Sequence, residues 1–361
     1  MTRNLQGKTK SSLKSPDGGL VMDAAGNLYG TAAYGGTGDC VLLGIKGGCG
    51  TVYEMSPPAQ KGGAWTETTL YSFKGGNDGY VPQGNLMFDG AGNLYGATLF
   101  GGGKGTTCDP YYQYCGTVFK LSPPKKQGGD WTEKVLHSFA GGSDGKNPNG
   151  GLLLDSEGAV YGTTEIGGNQ DCNFGRWEVG CGIVFKLSPP TKKGKAWTEK
   201  VMHRFTAGND GAAPNGDLIF DAKGSIYGTA ATGGSRQNGV AFQLSPSKSG
   251  RWAETVLYAF TGGADGTNPG SDVIFDKSGN LCGTALGGAV TRGVVFRLKP
   301  PNRGNSWVLT VLYNFTGAPD GNHPAAVLIF DSKGDLYSTT EWGGTGQACE
   351  GGCGTAFEVK P

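Results

Sequence analysis

Two glutamates break a repeating pattern in this 361-residue chain. Glu165 and Glu341 stand at a position where other copies of the pattern offer Ala33, Leu99 or Thr232, and each is followed by an apolar residue and a Gly-Gly pair. Two carboxyls flanking a glycosidic bond are the usual apparatus of sugar hydrolysis, one as acid and the other as base or nucleophile. His323, in the stretch Asp320-Gly321-Asn322-His323-Pro324, enters the same copy as Glu341 and Trp342 and completes a candidate catalytic set of Glu165, Glu341 and His323. The plainer alternative is two exposed carboxylates and a loop histidine bonded to a backbone carbonyl. His137 and His203 share a column with Tyr71, Tyr258 and Tyr313 and read as scaffold rings. Aromatic residues outside the columns cluster in loops: Tyr34, Phe100, Tyr111, Tyr112, Trp177 and Trp342, with Arg176 beside Trp177. Flat aromatic faces among polar loop residues suit the stacking of sugar rings.

The elements that must position these residues recur at a fixed period. The tyrosine column runs Tyr29, Tyr95, Tyr161, Tyr227, Cys282 and Tyr337, at intervals of 66, 66, 66, 55 and 55 residues. Each full copy holds an apolar strand ending in Asp, a small-Gly turn, a Tyr-Gly-Thr strand or its variant, a Gly-Gly loop, a Gly-x-Val-Phe strand closed by prolines, and a strand opened by Trp. Four strands per copy and six copies predict an all-β, six-bladed β-propeller with four strands per blade. The expected layout is one domain over 1–361, with a lead-in at 1–18 and repeats at about 19–84, 85–150, 151–216, 217–271, 272–326 and 327–361. Blade six runs out after its third strand, so Gln6–Ser15 are expected to close it. Residues repeated in every blade, such as Asp78, Asp144, Asp210, Asp265 and Asp320, read as turn-formers.

The columns Leu-Tyr-Gly-Thr, Gly-Gly and Gly-x-Val-Phe-x-Leu resemble the bacterial GloVer tandem repeat from about Gly19 to Pro361. The resemblance implies a secreted or surface-anchored protein and carries no shared chemistry with it. Its columns hold no cysteine pairs, which this chain adds in four loops.

Composition narrows the partners. Thirty-one basic against thirty acidic residues leaves no electrostatic footprint for nucleic acid, and no apolar run approaches a membrane span. Met1–Lys14 is polar, so the chain reads either as cytosolic or as a mature form stripped of its export signal. Eight of nine cysteines favour export, pairing within single repeats as Cys40 with Cys49, Cys108 with Cys115, Cys172 with Cys181 and Cys349 with Cys353. Zinc is the rival reading, but the pairs lie in different repeats and each supplies only two of four ligands. Cys282, in a tyrosine position, reads as a buried free thiol. The expectation is an extracellular or cell-surface protein, monomeric, without cofactor or metal, binding a glycan or other small ligand. A glycoside hydrolase or polysaccharide lyase and a structural surface module are the alternatives.

Overall fold

A computed structural model describes residues 13–42, 45–102, 108, 115–126, 128–169, 172, 180–192, 194–247, 250–288, 291–302, 306–346, 349 and 351–361. The architecture is all-β, with six successive antiparallel blades of the β-propeller type. Blade two runs Tyr80–Phe88, Leu94–Phe100, Thr117–Ser122 and Thr132–Ser138, each strand hydrogen-bonded to the next in sequence. Blades one, three, four and five repeat that order, and blade six has three strands among the described residues, Ile329–Phe330, Leu336–Thr339 and Ala356–Val359. Of the expected closing segment, Leu13–Ser15 open the first strand of blade one, where Lys14 pairs with Tyr34; Gln6–Ser12 lie outside the described residues.

The chain forms two compact units, Met1–Gly162 with Lys186–Lys200, and Thr163–Phe185 with Val201–Pro361. Blades one and two belong to the first and blades four to six to the second, while the strands of blade three are divided between them.

The strand-end aspartates set the first turn. Asp89 Oδ1 accepts the amide N–H of Ala91 and of Asn93, each at 2.9 Å, and its Oδ2 accepts the Tyr95 hydroxyl at 3.1 Å. Asp23, Asp155 and Asp221 repeat this set of contacts with Tyr29, Tyr161 and Tyr227. In blade five, where Cys282 replaces the tyrosine, Asp276 Oδ2 takes the Asn280 amide at 2.6 Å instead. Cys282 is a buried free thiol, and burial pushes its pKa up to about 12.

Apolar packing joins neighbouring blades. The phenylalanine after strand four meets the third-strand phenylalanine of the following blade edge-on: Phe73 on Phe119 at 5.1 Å, Phe260 on Phe296 at 5.2 Å and Phe315 on Phe357 at 5.0 Å. Phe73, Phe119, Phe260 and Phe296 are wholly buried, each contributing about 2–3 kcal/mol of transfer free energy.

A second device ties the blades at their entry strands. Each blade enters through an X-Pro step whose X has a positive φ although it is not glycine: Ser15 at 53°, Val81 at 57°, Asn147 at 59°, Ala213 at 53°, Asn268 at 53° and His323 at 56°. This conformation is costly for side-chain-bearing residues and persists where the surroundings over-determine it. Here an inter-blade hydrogen bond does so: the amide N–H of Val81 donates to the Cys49 carbonyl, Ala213 to Cys181 and His323 to Arg292, at 3.0, 2.9 and 3.0 Å. The following proline seats its Cδ against the glycine that opens the preceding blade's third strand, as Pro269 does on Gly239. That glycine cannot carry a side chain.

Four disulfides form, Cys40–Cys49, Cys108–Cys115, Cys172–Cys181 and Cys349–Cys353. All four are the pairs expected from their positions within single repeats.

Candidate functional site

The residues that gather are those of blade six, in the second unit. Gly321–Asn322 pairs with Trp342–Gly343 as a short antiparallel ladder, with Asn322 opposite Trp342. His323 follows directly, held at positive φ, and its carbonyl accepts the Glu341 amide N–H at 3.0 Å. The Thr340 hydroxyl donates to the Trp342 carbonyl at 2.8 Å, pinning the other strand. Both sides of the site are thus fixed by backbone hydrogen bonds.

The side chains meet on this ladder. The His323 ring lies 4.4 Å from the Trp342 ring at an interplanar angle of 50°. His323 Nδ1 lies 2.9 Å from Asn322 Oδ1. An amide oxygen only accepts, so Nδ1 carries the proton in this contact, and in the neutral ring Nε2 is then the acceptor. Trp342 is 45% exposed, the only tryptophan among the exposed large hydrophobic residues described. Glu341, adjacent in sequence, is exposed as well. The cluster therefore offers a flat apolar face, an oriented imidazole acceptor and a carboxylate.

Glu165 occupies the same register position in blade three as Glu341 in blade six. A Cβ placed on Gly182 would lie 2.9 Å from the Glu165 carbonyl oxygen, and one on Gly354 would lie 3.0 Å from that of Glu341. The corresponding neighbours are Ala33 at Gly50, Leu99 at Gly116 and Ala231 at Gly239. The blade-four equivalent is accordingly Ala231, and the alignment with Thr232 was one residue too far. Glu165 is half-buried, whereas Glu341 is exposed.

The remaining candidates separate. Tyr34 and Phe100 are half-buried against the apolar core of the first unit, and Phe100 lies 5.3 Å from the Tyr80 ring. Tyr111, Tyr112, Arg176 and Trp177 lie outside the described residues. His137 and His203 do share the environment of the tyrosines in their column: His137 Nε2 faces Asp144 and His203 Nε2 faces Asp210, each at 3.4 Å, where Tyr71 and Tyr258 hydroxyls donate to Asp78 and Asp265. Those aspartates also accept the backbone N–H four residues earlier, as Asp265 does from Thr261 at 2.8 Å, so they are turn-formers. Among the described residues, no three His, Cys, Asp or Glu side chains converge as a metal site would require.

Asn322 was missed from sequence, though its place beside His323 was in view. So was the strained X-Pro column, whose signal was a proline three residues after Asp-Gly in blades two to six. Buried carboxyls on the fourth strands were missed too: Glu133 and Glu254 have their pKa raised to about 7, first by burial and then by the charge of Asp78 and Asp210 respectively.

A family model described as a Gloeobacter/Verrucomicrobia repeat matches residues 15–296 and 219–361. No curated protein sequence matches the chain. Among solved structures, an oxidoreductase (glucose dehydrogenase) from Thermus thermophilus aligns over 96% of this chain and 97% of its own, with a TM-score of 0.52 at 14% identity. Another glucose dehydrogenase aligns over 97% of both chains, with a TM-score of 0.49 at 16% identity. At 14% identity the likeness to the Thermus protein is one of fold.

Proposed function

Because the chain belongs to the Gloeobacter/Verrucomicrobia repeat family, whose model it fits almost end to end, we propose that its function lies where blade six departs from the repeat, in binding an extracellular glycan. The observation that carries this reading is the exposed Trp342 ring set against His323 on a backbone fixed from both sides. A large apolar ring held rigidly at the surface loses little conformational freedom on contact with a sugar face. His323 Nε2 accepts a sugar hydroxyl, and Glu341 accepts another. Four disulfides within single repeats fit an oxidising, extracellular setting.

Binding is preferred over hydrolysis because Glu341 is exposed. A general acid for glycoside cleavage is ordinarily a carboxyl withdrawn from water. The test is a glycan-array screen of the oxidised protein, with each hit incubated and inspected for shortened products. Trp342→Ala should weaken binding of a hit at least tenfold, as loss of a central aromatic anchor does. Unchanged affinity in that variant would refute the site, and new reducing or unsaturated ends would turn the reading towards an enzyme.

A further inference from the structure

The fourth strands of blades one to four carry a glutamate two residues after their tryptophan: Glu67, Glu133, Glu199 and Glu254. The last three each come to the aspartate of the crossing that precedes their blade. Glu199 is hydrogen-bonded to Asp144 through their side chains, and Glu133 and Glu254 feel the charges of Asp78 and Asp210. A carboxyl can hydrogen-bond to a carboxylate only if one of the two is protonated. Oε1 of Glu133 and of Glu254 is shut off from solvent with no hydrogen-bond partner, which an ionised carboxylate does not tolerate cheaply.

Among the described residues, burial and one aspartate act on each of Glu133 and Glu254, and no cation offsets them. Facing Glu133 are Asp78 and, beyond it, Tyr71, whose hydroxyl already donates to Asp78 at 2.7 Å. Facing Glu254 are Asp210 and, beyond it, His203, with Nε2 3.4 Å from Asp210. Burial disfavours the charged imidazole and outweighs the Asp210 charge, so His203 is held below its ordinary pKa. At the next junction Leu309 stands two residues after Trp307 in the glutamate's place, and it packs, as Tyr258 does, on the apolar core of the second unit.

We infer that Glu133 and Glu254, each with a carboxyl oxygen buried and unpartnered, fold in the protonated form in mild acid, so that these two junctions hold more tightly there and loosen as the proton leaves. The sign follows from linkage. A carboxyl whose folded pKa is raised from 4.5 to about 7 stabilises the fold fully below the unfolded value, and that stability is lost as pH rises through the folded one. Both glutamates keep a solvent-facing portion, so the effect is discounted to about a tenfold change in the unfolding constant per junction between pH 5 and 7.5.

Equilibrium unfolding of the full chain at pH 5, 6 and 7.5 reads this directly. The wild type should unfold at lower denaturant as pH rises over this range, and Glu133→Gln with Glu254→Gln should flatten the trend and stabilise the protein at pH 7.5. A wild-type stability that rises from pH 5 to 7.5, or a double variant that keeps the wild-type slope, would overturn the inference. Carboxyl carbon shifts of glutamate in the unchanged chain guard against a variant that fails to fold. Two glutamates still protonated at pH 6 are expected, and none at that pH would overturn it.

Discussion

Gly239→Ala isolates the contact on which blade entry depends. Gly239 sits at φ +92°, and a Cβ there would fall 2.6 Å from the Ala230 carbonyl oxygen, 2.8 Å from that of Ala231 and closer still to Pro269 Cδ. Two of the three neighbours are backbone, which cannot swing away. The left-handed conformation alone costs an L-residue about 1–2 kcal/mol. Forcing a methyl into packed surroundings adds about 1–3 kcal/mol, and the lower entropy of the unfolded alanine chain returns roughly 0.4–1 kcal/mol. The expected loss is thus about 2–4 kcal/mol. Gly224→Ala is the control, since Gly224 has φ +80° and nothing within 4 Å of a Cβ. It should cost no more than about 1.5 kcal/mol. Guanidinium unfolding of both variants at unchanged slope provides the comparison. Pro269→Ala removes the Cδ that Gly239 faces, so the double variant should recover part of the Gly239→Ala loss. Equal stabilities for Gly239→Ala and Gly224→Ala, or strict additivity with Pro269→Ala, would refute the close-approach argument.

The Asp turns should set the acid limb of stability. For Asp89 and Asp155, burial by itself would raise the pKa, but hydrogen bonds from the following turn and the column tyrosine outweigh it and hold both carboxyls below their ordinary value. Their contribution is complete above about pH 4 and lost as pH falls through the folded pKa; Asp89→Ala should remove about 2 kcal/mol at pH 6 and blunt the acid transition, measured by thermal unfolding across pH. Reduction of the disulfides should destabilise the chain without abolishing the blades. Cys40–Cys49, with a separation of 9 residues, closes a short loop whose chain-entropy contribution is about 2.5 kcal/mol. A shift in unfolding midpoint with unchanged far-ultraviolet dichroism would bear this out, and collapse of the β-signal on reduction would not.

Much of the protein was legible because the repeat samples the same physics six times. The Asp, small-Gly and Tyr spacing specifies a turn whose hydrogen bonds are local, so Asp23, Asp89, Asp155 and Asp221 could be assigned from sequence and found in place. The cysteine pairs lie within single loops, and proximity in the chain was sufficient to match them. The histidine and tyrosine column was readable for the same reason, since equivalent positions meet equivalent aspartates.

Tertiary structure decided what depends on the fit of one blade against the next. The order of residues brings His323 and Trp342 into one copy, but only the ladder of Asn322 opposite Trp342 fixes their rings 4.4 Å apart and orients the imidazole through Asn322. The one-residue error at Thr232 has the same origin, because a loop of variable composition hides its register until a neighbouring glycine shows which carbonyl it faces. The glutamates after the strand-four tryptophans drew no separate reading from sequence. Their burial against an aspartate belongs to no single repeat, and a sequence pattern cannot record the loss of water that makes such a carboxyl hold its proton.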